Sequence, residues 1–160
     1  MTTMAQLVKS ARLEFTPALE KIGFIHHGKL CFSMVNSEGI HKTILSSLSY
    51  GENLTFYVTC FVKEYAPHKM KNFPYNINYT SGGELGENLL CGELWEVDSL
   101  DNINLIFKDI LSNITLYALP WFEKINTRQD YVNAMTADAK ERAEDNDRME
   151  AILTPPLDEQ

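Results

Sequence analysis

The sequence predicts an α+β fold: an antiparallel β-sheet meander with helices packed on one face, in a single domain. Three observations predict it. Between residues 30 and 62, runs of alternating apolar residues are separated by two turn signals, Ser37-Glu38-Gly39 and Gly51-Glu52-Asn53, a spacing that joins strands as hairpins. On either side of that block the apolar residues recur at three- and four-residue steps, the period of a helix lying on a core. The 160 residues, 44% hydrophobic and 22% charged, suffice for one hydrophobic core without disulfide or metal staples.

The first helical stripe is Val8, Ala11, Phe15, Ala18, Leu19 and Ile22, with Lys9, Arg12, Glu14 and Lys21 off it. Pro17 interrupts the pattern. Thr16-Pro17 reads as an N-cap followed by proline at the first helical position, so the spacing predicts a kink or two helices meeting near Thr16. Gly23 is placed to terminate the helix. Strands follow. Leu30, Phe32 and Met34 alternate with Cys31, Ser33 and Val35; the next run, Ile40 to Tyr50, alternates less cleanly, with Ile44, Leu48 and Tyr50 on one parity with Ser46. In the third, Leu54, Phe56, Val58, Cys60 and Val62 face one way and Thr55, Tyr57, Thr59 and Phe61 the other. Such alternation places one face of the sheet on a core.

Residues 64–92 read as a long loop, with Pro67, Pro74, Gly82-Gly83, Gly86 and Gly92, and at most a short strand at Ile77-Asn78-Tyr79-Thr80. Loops of that length are uncommon unless functional or mobile. Leu94-Trp95-Glu96-Val97 reads as a last strand. Asp98-Ser99 opens the clearest helix, whose stripe is Ile103, Ile106, Phe107, Ile110, Leu111, Ile114 and Tyr117; it is expected to end before Pro120. Trp121-Phe122 should pack on the core, and Thr127 should cap a further helix through Tyr131, Val132 and Met135. From Thr136 to Glu150 the apolar stripe all but vanishes, and Thr154-Pro155-Pro156 ends any helix. The predicted division is a single α+β domain over residues 1–135 and an acidic helical or disordered C-terminal extension over 136–160. Deleting that extension is expected to leave the fold intact.

Charge is uneven. Residues 1–80 hold 8 Lys+Arg and 5 Glu, a net +3; residues 81–160 hold 6 Lys+Arg and 17 Asp+Glu, a net −11; together they make the formal −8. That balance argues against a general nucleic-acid binder. Lys63, His68, Lys69 and Lys71 among Tyr65, Phe73, Tyr75 and Tyr79 could track single-stranded RNA, but no RNP or G-x-x-G motif accompanies them. No stretch approaches a membrane span, and no basic region followed by an apolar one opens the chain, so the protein is read as cytoplasmic. Three widely spaced cysteines, Cys31, Cys60 and Cys91, argue against a disulfide framework.

The soft metal ligands are His26, His27, Cys31, His41, Cys60, His68 and Cys91. His27 and Cys31 would share a strand face, yet no C-x-x-C, H-x-x-x-H or H-E-x-x-H pair occurs, and no metal or other cofactor is expected. No G-x-S-x-G elbow surrounds Ser46, Ser47 or Ser49. Gly82-Gly83-Glu84-Leu85-Gly86 lacks the spacing and the lysine of a phosphate loop. No catalytic residue is assigned. The candidate binding residues are the carboxylates Asp138, Glu141, Glu144, Asp145, Asp147 and Glu150, which outnumber Lys140, Arg142 and Arg148 and could dock a basic partner. Exposed Tyr65, Phe73 and Tyr75 would suit a partner or a homodimer equally.

Phe15-Thr16-Pro17-Ala18-Leu19-Glu20-Lys21-Ile22-Gly23-Phe24, Leu54-Thr55-Phe56-Tyr57-Val58, Leu94-Trp95 and Tyr117-Ala118-Leu119-Pro120-Trp121-Phe122-Glu123 together make the chain resemble the bacterial domain-of-unknown-function 4304 family over roughly residues 10–130. It departs from that family at Ser46-Ser47-Leu48, where members often carry a Gln-Ser pair, and in the loop at 64–92. The resemblance implies a small cytoplasmic bacterial protein and carries over no functional residue. By analogy with small acidic single-domain proteins of that kind, the expected role is a non-enzymatic immunity protein that neutralises a cognate toxin by direct binding. The alternatives are an uncharacterised small bacterial enzyme or a regulatory or scaffold module.

Overall fold

The computed structural model describes residues 1–64, 95–135, 137–145 and 147–154, with side chains left aside at 57, 137–139 and 142. The expected strand at 77–80 and most of the loop at 64–92 lie outside the described residues. Helix α1 (Met4–Ala11) begins at a capping box: Thr3 Oγ1 accepts from the Gln6 N–H, and Gln6 Oε1 accepts from the Thr3 N–H. These bonds satisfy donors that the helix leaves unpaired. Helix α2 (Phe15–Lys21) follows after a break at 12–14, so the two expected helices are present. The break lies before Phe15 rather than at Thr16. Pro17 is the third residue of α2, inside the first turn, where no intrahelical N–H bond is required. Gly23, at φ +108°, closes α2: its N–H donates to Glu20 O, and the Phe24 N–H donates to Leu19 O, a Schellman closure.

Strands β1 (Ile25–His26), β2 (Phe32–Val35), β3 (His41–Ser49), β4 (Asn53–Phe61) and β5 (Trp95–Glu96) form one antiparallel sheet in the order β1-β2-β3-β4-β5. The long pair β3–β4 is in register from His41↔Phe61 to Ser49↔Asn53. Phe32, Ile44, Leu54, Phe56 and Val58 are fully buried on the face that meets the helices. Phe15 of α2 joins the layers. Its ring centroid lies 5.9 Å from Phe32, 5.7 Å from Phe56 and 5.0 Å from Phe107. The opposite parity, which also carries Leu45 and Phe61, is buried at the polar Thr43, Thr55 and Thr59. Its hydroxyls are satisfied within the sheet, Thr43 Oγ1 donating to Thr59 O and Thr55 Oγ1 to Ser47 O, which removes the cost of burying them.

The clear helix of the sequence is α3 (Ile103–Asn113), which buries Ile103, Phe107 and Ile110. The Trp95 indole N–H donates to Asp109 Oδ2 at 2.9 Å and ties β5 to it. The helix does not stop before Pro120. A π-helical turn over Ile114–Ala118 leads into α4 (Leu119–Glu123), and the Leu119 N–H reaches back to Ile114 O. A proline inside an α-helix loses one hydrogen bond and pushes its ring against the carbonyl four residues earlier. The wider π turn just ahead carries the chain past Pro120 and keeps Trp121 and Phe122 in the core. Helix α5 (Arg128–Ala134) starts at the expected Thr127, in a capping box with Asp130. Helices α6 (Ala137–Asp145) and α7 (Met149–Leu153) complete the described chain.

Candidate functional site

The acidic segment is built onto the domain. Ala143 of α6 and Ile152 of α7 are fully buried in the common core. Helix α6 ends in a second Schellman closure: the Asp147 N–H donates to Glu144 O at 3.1 Å and the Arg148 N–H to Ala143 O at 2.8 Å, with Asp147 at φ +55°. The turn therefore depends on a non-glycine residue in the left-handed region, which costs more than glycine would.

Arg128 anchors the segment from beneath. It is the first residue of α5 and is buried. Its Nη1 and Nη2 donate to Glu64 Oε2 and Oε1 at 3.0 and 3.3 Å, its Nε donates to Glu38 O at 2.6 Å, and Nη1 also donates to Ile152 O at 3.1 Å. One guanidinium thus joins the β2–β3 turn, the residues after β4, α5 and the acidic α7. Both members of the Arg128–Glu64 pair are more than nine-tenths buried, so the pair depends on this complete set of hydrogen bonds to offset desolvation. Gly39, at φ +75°, makes room: a Cβ there would lie 2.8 Å from Arg128 Nη2.

On this base Glu141, Glu144, Asp145, Asp147 and Glu150 are all exposed. Asp138 lies within α6, its side chain outside the described set. Among the described residues none of these five carboxylates enters an ion pair. These carboxylates stand exposed on a segment that also carries Lys140 and Arg148, and its Ala143 and Ile152 reach the core.

The sequence also raised a metal or nucleophile site, and the described residues do not gather one: no three of His, Cys, Asp and Glu converge among them. His26 is in β1, its ring stacked on Phe32 at 4.9 Å. His27 and Cys31 flank the β1–β2 turn, where the His27 N–H donates to Cys31 O at 2.8 Å and His27 Nε2 meets Ser33 Oγ at 2.5 Å. Cys31 Sγ donates to Lys29 O. Cys60 is in the core, where burial pushes its thiol pKa far up and leaves it unreactive. His41 is half-buried and stacked on Phe61 at 4.2 Å. His68, Cys91, Lys69, Lys71, Tyr65, Phe73, Tyr75 and Gly82–Gly86 lie outside the described residues.

No family model, curated protein or solved structure matches the chain. Physical geometry alone supports a functional reading.

The anchor was missed by sequence reasoning. Arg128 and Glu64 are 64 residues apart, and only one local signal distinguishes Arg128: a cation in the first turn of a helix opposes the helix dipole, so it needs compensation from elsewhere. Among the described residues no helix is long and apolar enough to cross a membrane.

Proposed function

We propose that the chain is a non-enzymatic protein-binding domain, a cytoplasmic immunity protein that neutralises a cognate bacterial toxin by direct binding. The contact surface is the acidic face of α6 and α7. One observation carries this reading: five exposed carboxylates, without ion-pair partners among the described residues, stand on a segment held in place by Ala143, Ile152 and the Arg128 clasp. A surface fixed before encounter loses little conformational entropy on binding. A concentrated negative field speeds association with a basic partner and selects against acidic ones. A toxin that works on nucleic acid must itself carry a basic cleft, and an acidic face can occupy it.

The test is capture from the native host's lysate by the full chain and by a variant carrying Glu141→Gln, Glu144→Gln, Asp145→Asn, Asp147→Asn and Glu150→Gln. The reading predicts one basic protein retained by the native chain at low salt, released at high salt and not retained by the variant. It also predicts that co-expression of the native chain relieves that protein's toxicity. Equal retention by both chains would remove the acidic face from the account; a captured protein without toxicity would favour a scaffold role.

A further inference from the structure

We propose that Ser33 is a covalent modification site: its hydroxyl takes an acyl group from an activated acyl donor, with His27 as the base. This goes beyond the docking reading and shares no residue with it. Ser33 is half-buried in β2, and His27 is exposed just after β1. Because Phe32 is turned to the core, alternation puts Ile25, His27 and Ser33 on the other face of the sheet. His27 and Ser33 are diagonal neighbours across the β1–β2 pair, within reach of one long side chain. His27 Nε2 lies 2.5 Å from Ser33 Oγ.

The turn between the two strands fixes that approach. Gly28, Lys29 and Leu30 all have positive φ, at +92°, +52° and +57°. Non-glycine residues persist in such a run only where the surroundings hold them. Here the His27 N–H donates to Cys31 O at 2.8 Å and the Cys31 N–H to Gly28 O at 2.9 Å. Lys29 O accepts the Ser46 hydroxyl, and Leu30 is fully buried. The turn is thus tied to the sheet and to the core. Sequence spacing grouped His27 with Cys31; the fold gives the imidazole to Ser33, while Cys31 Sγ donates to Lys29 O.

A serine hydroxyl is a weak nucleophile until an adjacent base takes its proton. With its own proton on Nδ1, a neutral imidazole accepts at Nε2, the nitrogen that faces Ser33. In the step, Ser33 Oγ bonds to the acyl carbon, its proton passes to His27 Nε2, and the bond from the acyl carbon to the leaving group breaks. The leaving group departs with that electron pair, and the imidazolium returns the proton to it or to water. Nothing is oxidised or reduced. The product is an ester on Ser33, so the chain is an acceptor consumed once and not a catalyst that turns over. A phosphoryl donor suits the pair less, because that transfer rests on cations or metal ions clamped on the phosphoryl oxygens.

The experiment treats the full chain with p-nitrophenyl acetate at neutral pH and maps the acetyl groups by peptide mass spectrometry over time. Ser33 should be acetylated about a hundredfold faster than the other serines, the lower end of what a positioned base contributes. His27→Gln keeps a side chain that can hydrogen-bond but cannot take the proton, and it should remove that factor. Acidification should slow labelling of Ser33 in the native chain, as the imidazole gains a proton, and leave the slow labelling of His27→Gln unchanged. Unfolding the native chain in urea should abolish the preference for Ser33, a control that needs no variant. Labelling of Ser33 no faster than of other serines, an equal rate in His27→Gln, or a preference that survives urea would overturn the proposal. So would acetyl groups confined to His27 or Lys29.

Discussion

Arg128 stands where the helix dipole disfavours a cation and is held there by four acceptor atoms from Glu38, Glu64 and Ile152. Removing either charge strands the other in the interior. Arg128→Met should lower stability by about 3–5 kcal/mol, and adding Glu64→Leu should recover much of that loss; the urea midpoint of each variant checks this. A double variant no better than the single one would show that the main-chain carbonyls, not the carboxylate, carry the anchor. The nearby His41 is held below its ordinary pKa of 6.5, first by burial and then by the positive field of Arg128, with Lys63 adding to it and Glu64 opposing. His26 is lowered too, by burial first, with Glu20 opposing and His27 and Arg12 adding. The unfolded chain then binds protons that the native chain does not. Stability is therefore unaffected by these groups well above pH 6.5, falls as pH drops from about 6.5 through the folded pKa values, and levels off below them. Urea midpoints across that window should fall in the native chain and fall less in His41→Gln. A midpoint that rises on acidification would contradict the assignment. Asp130, whose folded pKa is lowered instead, acts in a separate window below about pH 4.

At the scale of the element, the α6 closure gives a variant that separates folding from binding. Asp147 occupies a left-handed position at φ +55°, where glycine is less strained. Asp147→Gly should raise or preserve the melting temperature, a gain of up to about 1 kcal/mol, while removing one carboxylate from the acidic face and weakening a basic partner modestly. Loss of stability would mean that the Asp147 side chain supports the turn. The elements that were legible share one property: their signal is local and repeated. β4 alternates along its nine residues, Thr127 and Asp130 form a cap within four residues, and α3 repeats its apolar residues over three turns. The continuation through Pro120 was not legible, because a π turn leaves no change of residue type to read. The burial of α6 was hidden for a related reason: Ala143 alone makes no stripe, and Ile152 lies beyond a turn.

For the whole molecule, the acidic helices share the common core through Ala143 and Ile152. Deleting residues 136–160 removes two fully buried side chains and one Arg128 acceptor, so the expectation of an intact fold after that deletion gives way to a prediction of lost stability. Ile152→Ala alone should cost about 2–4 kcal/mol, read from urea unfolding; a loss well under 1 kcal/mol would place α7 outside the cooperative unit. The sequence made the acidic carboxylates visible as a charge run but not their support, since contacts spanning 24 and 64 residues have no signature in spacing. It is this support that turns a charge run into a fixed surface. The central claim is that this surface binds a basic partner, and its most direct measurement is the dissociation constant of the captured partner as a function of salt, for the native chain and for the five-carboxylate variant. The account predicts steep weakening with salt for the native chain and a weaker, flatter dependence for the variant. Identical constants and identical salt slopes for the two chains would contradict it.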